Sequence, residues 1–241
     1  MKASSIKGGR KMTFQLSVTE LANMVDHTLL KADAKKAGFE KLCQEADEYG
    51  FKMVAINSAP VSLCKELLKE SPVHVGAAIG FPLGQTTIAT KVFEVTETIK
   101  IGADEIDYVI NISELKDGNL AYIEQEMKEI VAVCQENNIL SKVILENCFL
   151  TNEEKIAVCE IAKRVKPTFV KTSTGFGTGG ATVEDVKLMK ETVGEEVKVK
   201  AAGGIRDFAT AKAMVEAGAE RLGTSSGIQI INEYKSMIKE S

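Results

Sequence analysis

At 241 residues, 44% of them hydrophobic and 27% charged, the chain can bury a large core within one domain, which excludes the disordered and fibrous classes. Its formal net charge of −4 provides no broad basic field and argues against nucleic acid as a partner. Five cysteines without a C-x-x-C pair point to a reduced, cytoplasmic setting, and no apolar run approaches a membrane span.

Residues 1–16 are expected to form a disordered N-terminal extension, with 17–241 as the folded domain. Met1–Arg10 is rich in Lys, Gly and Ser and lacks the apolar stretch of a signal peptide. From there, Val/Ile-rich runs alternate with longer amphipathic stretches. The runs are Ala22–His27, Phe51–Asn57, His74–Gly80, Glu105–Asn111, Lys142–Asn147, Thr168–Thr172, Val197–Ala202 and Arg221–Thr224. Helices are expected between them, among them Ala34–Tyr49, Thr87–Ile101, Leu120–Asn137 and Thr182–Thr192, with Thr151 and Thr182 placed as N-caps. Eight strands each followed by a helix predict an α/β fold, a single (β/α)8 TIM barrel. An open doubly wound sheet is the rival, but it would carry a glycine-rich turn after strand one, where this chain has Asp26-His27-Thr28.

In a barrel the site lies at the carboxyl ends of the strands, which selects Asp26, Asn57, Asp107, Glu146, Lys171 and Lys200, and the Gly/Ser turns after strands six to eight. The two-residue period of strand six puts Phe169 and Lys171 on one face. Strand seven repeats this with Lys198 and Lys200, so Lys171 and Lys200 stand at one height on neighbouring strands. Burial and a second cation both favour the neutral amine. An ordinary lysine is neutral only about 0.04% of the time at pH 7, and bringing its pKa to roughly 7 takes about 4.6 kcal/mol. That is how an amine is activated for attack on a carbonyl. In isolation, a rim lysine or a structural ion pair is the plainer reading, and two inward lysines reverse the preference. Lys198, deeper in its strand, is expected to be solvated or paired.

Asp107 points either inward or towards a helix. Inward, beside two lysines, it can hold the second cation and move protons next to an imine, the plain alternative being a buried salt bridge. Asp26 and Glu146 have weaker claims, as groups that order the lysines. The turns Gly203-Gly204-Ile205-Arg206 and Gly223-Thr224-Ser225-Ser226-Gly227 offer N–H groups and hydroxyls where many barrels bind phosphate, or are ordinary tight connections. With only His27 and His74 available, on different strands, no metal site is expected.

Several segments together resemble the deoxyribose-phosphate aldolase family. They are Asp26-His27-Thr28-Leu29-Leu30-Lys31, Ile79-Gly80-Phe81-Pro82-Leu83-Gly84, Gly102-Ala103-Asp104-Glu105-Ile106-Asp107, Lys171-Thr172-Ser173-Thr174-Gly175-Phe176, Lys200-Ala201-Ala202-Gly203-Gly204-Ile205-Arg206 and Gly223-Thr224-Ser225-Ser226, in the family's order over about residues 21–230. The resemblance implies a Schiff-base aldolase that cleaves 2-deoxy-D-ribose 5-phosphate reversibly to D-glyceraldehyde 3-phosphate and acetaldehyde. Lys171 would carry the imine, and Asp107 and Lys200 would move protons. Asp26, Gly175, Gly203, Gly204, Ser225 and Ser226 would bind substrate, and no cofactor is implied. The chain departs from the family at Ala55-Ile56-Asn57-Ser58-Ala59-Pro60, at Ala32 where proline is usual, and at Ala202 in place of serine. A Schiff-base enzyme for another aldehyde or keto acid, an isomerase using the same turns, and a non-catalytic sugar-phosphate binder are the rival readings. A homodimer is expected, as the commonest assembly.

Overall fold

The computed structural model describes residues 14–239, and the part of the expected extension before Phe14 lies outside the described residues. Eight parallel strands close into a barrel in chain order: β1 (Val25–Thr28), β2 (Met53–Asn57), β3 (His74–Ile79), β4 (Glu105–Val109), β5 (Leu140–Ile144), β6 (Phe169–Lys171), β7 (Lys198–Ala202) and β8 (Arg221–Thr224). The helices are α1 (Val18–Ala22), α2 (Lys36–Tyr49), α3 (Val61–Leu67), α4 (Ile88–Lys100), α5 (Ile112–Lys116), α6 (Leu120–Glu136), α7 (Asn152–Val165), α8 (Val183–Val193), α9 (Phe208–Glu216) and α10 (Gly227–Lys239).

Strand alternation sorts the side chains into two populations. Outward positions such as Val54, Ile56, Val75, Ile106, Val143, Val170, Val199 and Leu222 join the apolar layer under the helices. The register links the inward positions: Ala78 with Asp107, Asp107 with Lys142, Ile144 with Lys171, Lys171 with Lys200, and Lys200 with Arg221. The inside of the barrel is therefore strongly charged, where aliphatic side chains usually dominate.

Local chemistry explains where the elements begin and end. Thr151 and Glu154 form a reciprocal capping box that opens α7, and Thr182 accepts the Asp185 N–H to open α8. The first strand starts later than expected because Ser17 and Glu20 form a second capping box and Ala22 ends helix α1. Strand five is offset towards the N-terminus, at Leu140–Ile144. It stops before Glu146, whose left-handed backbone (φ 56°, ψ 62°) leads into a short 3-10 turn, Asn147–Phe149. Phe14 meets Phe208 and Tyr234 edge-on at 5.5 and 5.4 Å, and Leu16 O accepts the Tyr234 hydroxyl, so residues 14–16 pack on the barrel.

Candidate active site

Asp107 gathers three lysines inside the barrel. Its Oδ1 lies 2.6 Å from Lys142 Nζ, and its Oδ2 accepts from Lys171 at 2.8 Å and Lys200 at 2.7 Å. Each comes from a different strand at the height the register sets, so barrel closure creates the cluster. Lys200 also contacts Asp26 at 2.5 Å, and Arg221 reaches Asp26 at 3.0 Å and Glu105 at 2.5 Å. Lys142 contacts Glu105 at 2.6 Å. These contacts close a ring of alternating sign, Asp26, Lys200, Asp107, Lys142, Glu105, Arg221 and back to Asp26, with Lys171 attached to it at Asp107. All seven side chains are buried.

Burial alone would raise the Asp107 carboxyl, but Lys142, Lys171 and Lys200 hold it well below its usual range. Glu105 is likewise held down, against burial, by Lys142, His74 and Arg221. Lys142 is raised: its two carboxylates, with Asp26 behind them, outweigh the cost of burying its charge, so it stays a cation. Lys171 goes the other way. Burial, helped by Lys200 and Lys142 and opposed by Asp107, lowers it to about 8. About a tenth of such amines are neutral at pH 7, against roughly 0.04% for an ordinary lysine.

A cleft of about 670 Å³ opens at the carboxyl ends of the strands. Lys171 lines it, while Lys200, Asp107 and Asp26 are not among its lining residues. Its walls include Gly175, Gly203, Gly204, Arg206 and Ser225. Gly203 and Gly204 both have positive φ (83° and 79°), a backbone that L side chains rarely adopt, and this leaves the turn bare towards the cleft. Gly180 packs so closely on this turn that a Cβ there would come 2.3 Å from Gly203 O. Ser225 is on the wall and Ser226 is not; the Ser226 N–H donates to Thr224 Oγ1 at 2.9 Å.

The remaining residues singled out in the sequence take the following places. Asp26, read from the residues as a group that orders the lysines and from the resemblance as one that binds substrate, is fully buried against Lys200 and Arg221, in the place the first reading gives it and away from the cleft wall. Glu146 orders no lysine. Its carboxylate takes the Thr174 N–H at 3.1 Å and the Thr174 hydroxyl, tying down the loop after Lys171. Lys198 is half-exposed and 3.9 Å from Glu220, solvated and paired as expected. His27 bonds Glu45 at 2.9 Å on the cleft wall, and Asn57 donates to Leu30 O at 3.3 Å. Sequence reading missed Glu105, Lys142 and Arg221. The available signal was the two-residue period that puts Glu105 on the face of Asp107 and Lys142 on the face of Ile144. No group of three or more His, Cys, Asp or Glu suited to a metal occurs among the described residues.

Comparison with known proteins agrees with this geometry. A family model described as DeoC/LacD family aldolase matches residues 21–233. A deoxyribose-phosphate aldolase of Lactobacillus acidophilus is 55% identical over 224 residues, 93% of this chain and 94% of that protein. One from Caldanaerobacter subterraneus is also 55% identical, over 91% of this chain and 95% of its own. Among solved structures, the deoxyribose phosphate aldolase from Aeropyrum pernix, described as tetrameric, superposes with a TM-score of 0.86 at 30% identity. That match covers 92% of this chain and 93% of the other.

Proposed function

This chain belongs to the DeoC/LacD aldolase family, and from that premise we propose that it is a deoxyribose-phosphate aldolase working through an imine on Lys171. It is an aldolase, and its substrate is a small phosphosugar. One observation carries the reading: of the three lysines on Asp107, Lys171 alone lines the cleft, with its pKa lowered to about 8.

The Lys171 amine attacks the aldehyde carbon of open-chain 2-deoxy-D-ribose 5-phosphate, and loss of water leaves an iminium. A base removes the proton of the 3-hydroxyl, the C2–C3 bond breaks, and its electrons flow into the iminium. D-Glyceraldehyde 3-phosphate departs and an enamine remains. Protonation of the enamine at C2 and hydrolysis release acetaldehyde and restore the amine. Asp107, 2.8 Å from Lys171, and Lys200, 2.7 Å from the same Asp107 oxygen, are the groups we assign to these proton transfers. The bare Gly203-Gly204 turn, Ser225 and the start of α10 after Ser226 are assigned to the phosphate, with Gly175 packed beside Gly203 on the same wall. Asp26 acts indirectly, by holding Lys200.

We further propose a homodimer in the cytoplasm. All five cysteines are free thiols and no described helix is long and apolar enough to cross a membrane. Light scattering on the purified protein gives the assembly.

Borohydride reduction in the presence of acetaldehyde tests the central assignment. Mass mapping is expected to find a reduced two-carbon adduct on Lys171. No adduct, or adducts confined to surface lysines, overturns the imine.

A further inference from the structure

The ring of alternating charge contains three carboxylates (Asp26, Glu105, Asp107) and three cations (Lys142, Lys200, Arg221). Each cation in it touches two carboxylates, and each carboxylate touches two of its cations. Lys171 is the odd member, a seventh ionisable group that touches only Asp107. With every group charged, the interior carries one more positive charge than negative. Loss of a single proton balances it, and that proton is held least tightly where only one carboxylate faces the cation.

Arg221 stands opposite Asp107 in the ring, farthest along it from Lys171, and forms one edge with Glu105, its partner on the side of Lys142. Arg221 touches Asp26 and Glu105, and its guanidinium lies 5.4 Å from the Phe169 ring centroid. Around Glu105 stand Arg221, Lys142 and His74, the last at 2.7 Å with its side chain 32% exposed. Neither Arg221 nor Glu105 lines the cleft. A buried ion pair rarely adds stability over apolar residues of the same size, so stability is a weak reason for this edge.

We propose that Arg221 and Glu105 are positioning residues for the aldolase reaction: by closing the ring as a balanced set, they leave Lys171 as the one surplus cation and so as the amine that gives up its proton. This rests on the imine assignment for Lys171. Removing Arg221 takes away a positive charge, so the remaining three cations, Lys171 included, match the three carboxylates and Lys171 keeps its proton. Removing Glu105 has the opposite effect, because the cations then exceed the carboxylates by two. Removing both restores the original difference of one.

The test follows imine formation with acetaldehyde and borohydride, between pH 5.5 and 10, in the full-length wild type, Arg221→Met, Glu105→Gln and the double variant. The wild-type midpoint is expected near pH 8. Arg221→Met is expected to move it up by about one pH unit, which slows trapping at pH 7 by about tenfold and preserves the alkaline plateau. Glu105→Gln is expected to move it below 8, and the double variant to return it close to the wild-type value. A residue that merely packs would depress trapping by the same factor at every pH and leave the midpoint in place; that result in either single variant overturns the proposal. If Arg221→Met fails to fold, the opposite shift in Glu105→Gln and its reversal in the double variant carry the test, and an unmoved midpoint there is equally fatal. A wild type that traps nothing on Lys171 refutes the imine assignment itself, which is a distinct outcome.

Discussion

Two buried lysines, one on each side of the barrel wall, have opposite consequences. Lys171 faces inward; Lys91, on α4, is buried outside the barrel, bonded to Glu126 on α6 at 2.5 Å and to Val109 O at 2.7 Å. Burial lowers both. Glu126, lifted by burial, gives Lys91 one partner of its own and also accepts the Asn111 N–H at 3.1 Å, so the pair pins the end of β4 to two helices. Lys91 is fully buried and does not line the cleft. Desolvation therefore depresses a buried lysine that has a single carboxylate partner, unlike Lys142 with two, and such a lysine becomes a nucleophile only where a cleft reaches it.

Substitution at each lysine should separate the two cases. Lys171→Met is expected to reduce cleavage to background while the melting temperature holds or rises, because the change removes a surplus buried cation and leaves Asp107 with Lys142 and Lys200. Steady-state assay and calorimetry on one preparation check both halves, and a sharp loss of stability would break the contrast. Lys91→Met is expected to do the reverse: it strands Glu126 and costs about 3–5 kcal/mol of stability, as in other broken buried pairs, while activity per folded molecule changes little. Denaturant unfolding paired with active-site titration reads this. The smallest effect belongs to the cleft wall. Gly204→Ala meets no atom within 4 Å but must adopt φ 79°, so the turn shifts and KM for the phosphorylated substrate is expected to rise about tenfold, with acetaldehyde trapping on Lys171 unaltered.

Much of this was legible in the chain. Eight Val/Ile-rich runs gave eight strands, and Thr151 and Thr182 capped helices as placed. Lys171, the last residue of β6, and Lys200, in the middle of β7, are directly paired by the register because the two-residue period gives them the same inward phase. The first strand begins three residues after the start of the run Ala22–His27, because Ala22 belongs to the short helix that the unread capping box of Ser17 and Glu20 opens. Glu146 was misjudged for a different reason: a left-handed backbone at a non-glycine residue has no signature in composition, and it turns that carboxylate to Thr174 and away from the lysines.

Local sequence determined which side chains face inward, since a two-residue period follows from the pleat of any strand. Barrel closure decided which of them meet. Asp26 and Arg221, 195 positions apart, touch because β1 closes on β8, and Glu105 finds Arg221 across 116 positions inside the lumen. Contacts of that kind depend on the stagger of all eight strands at once, a property no short segment carries, and they complete the charge ring from which Lys171 protrudes.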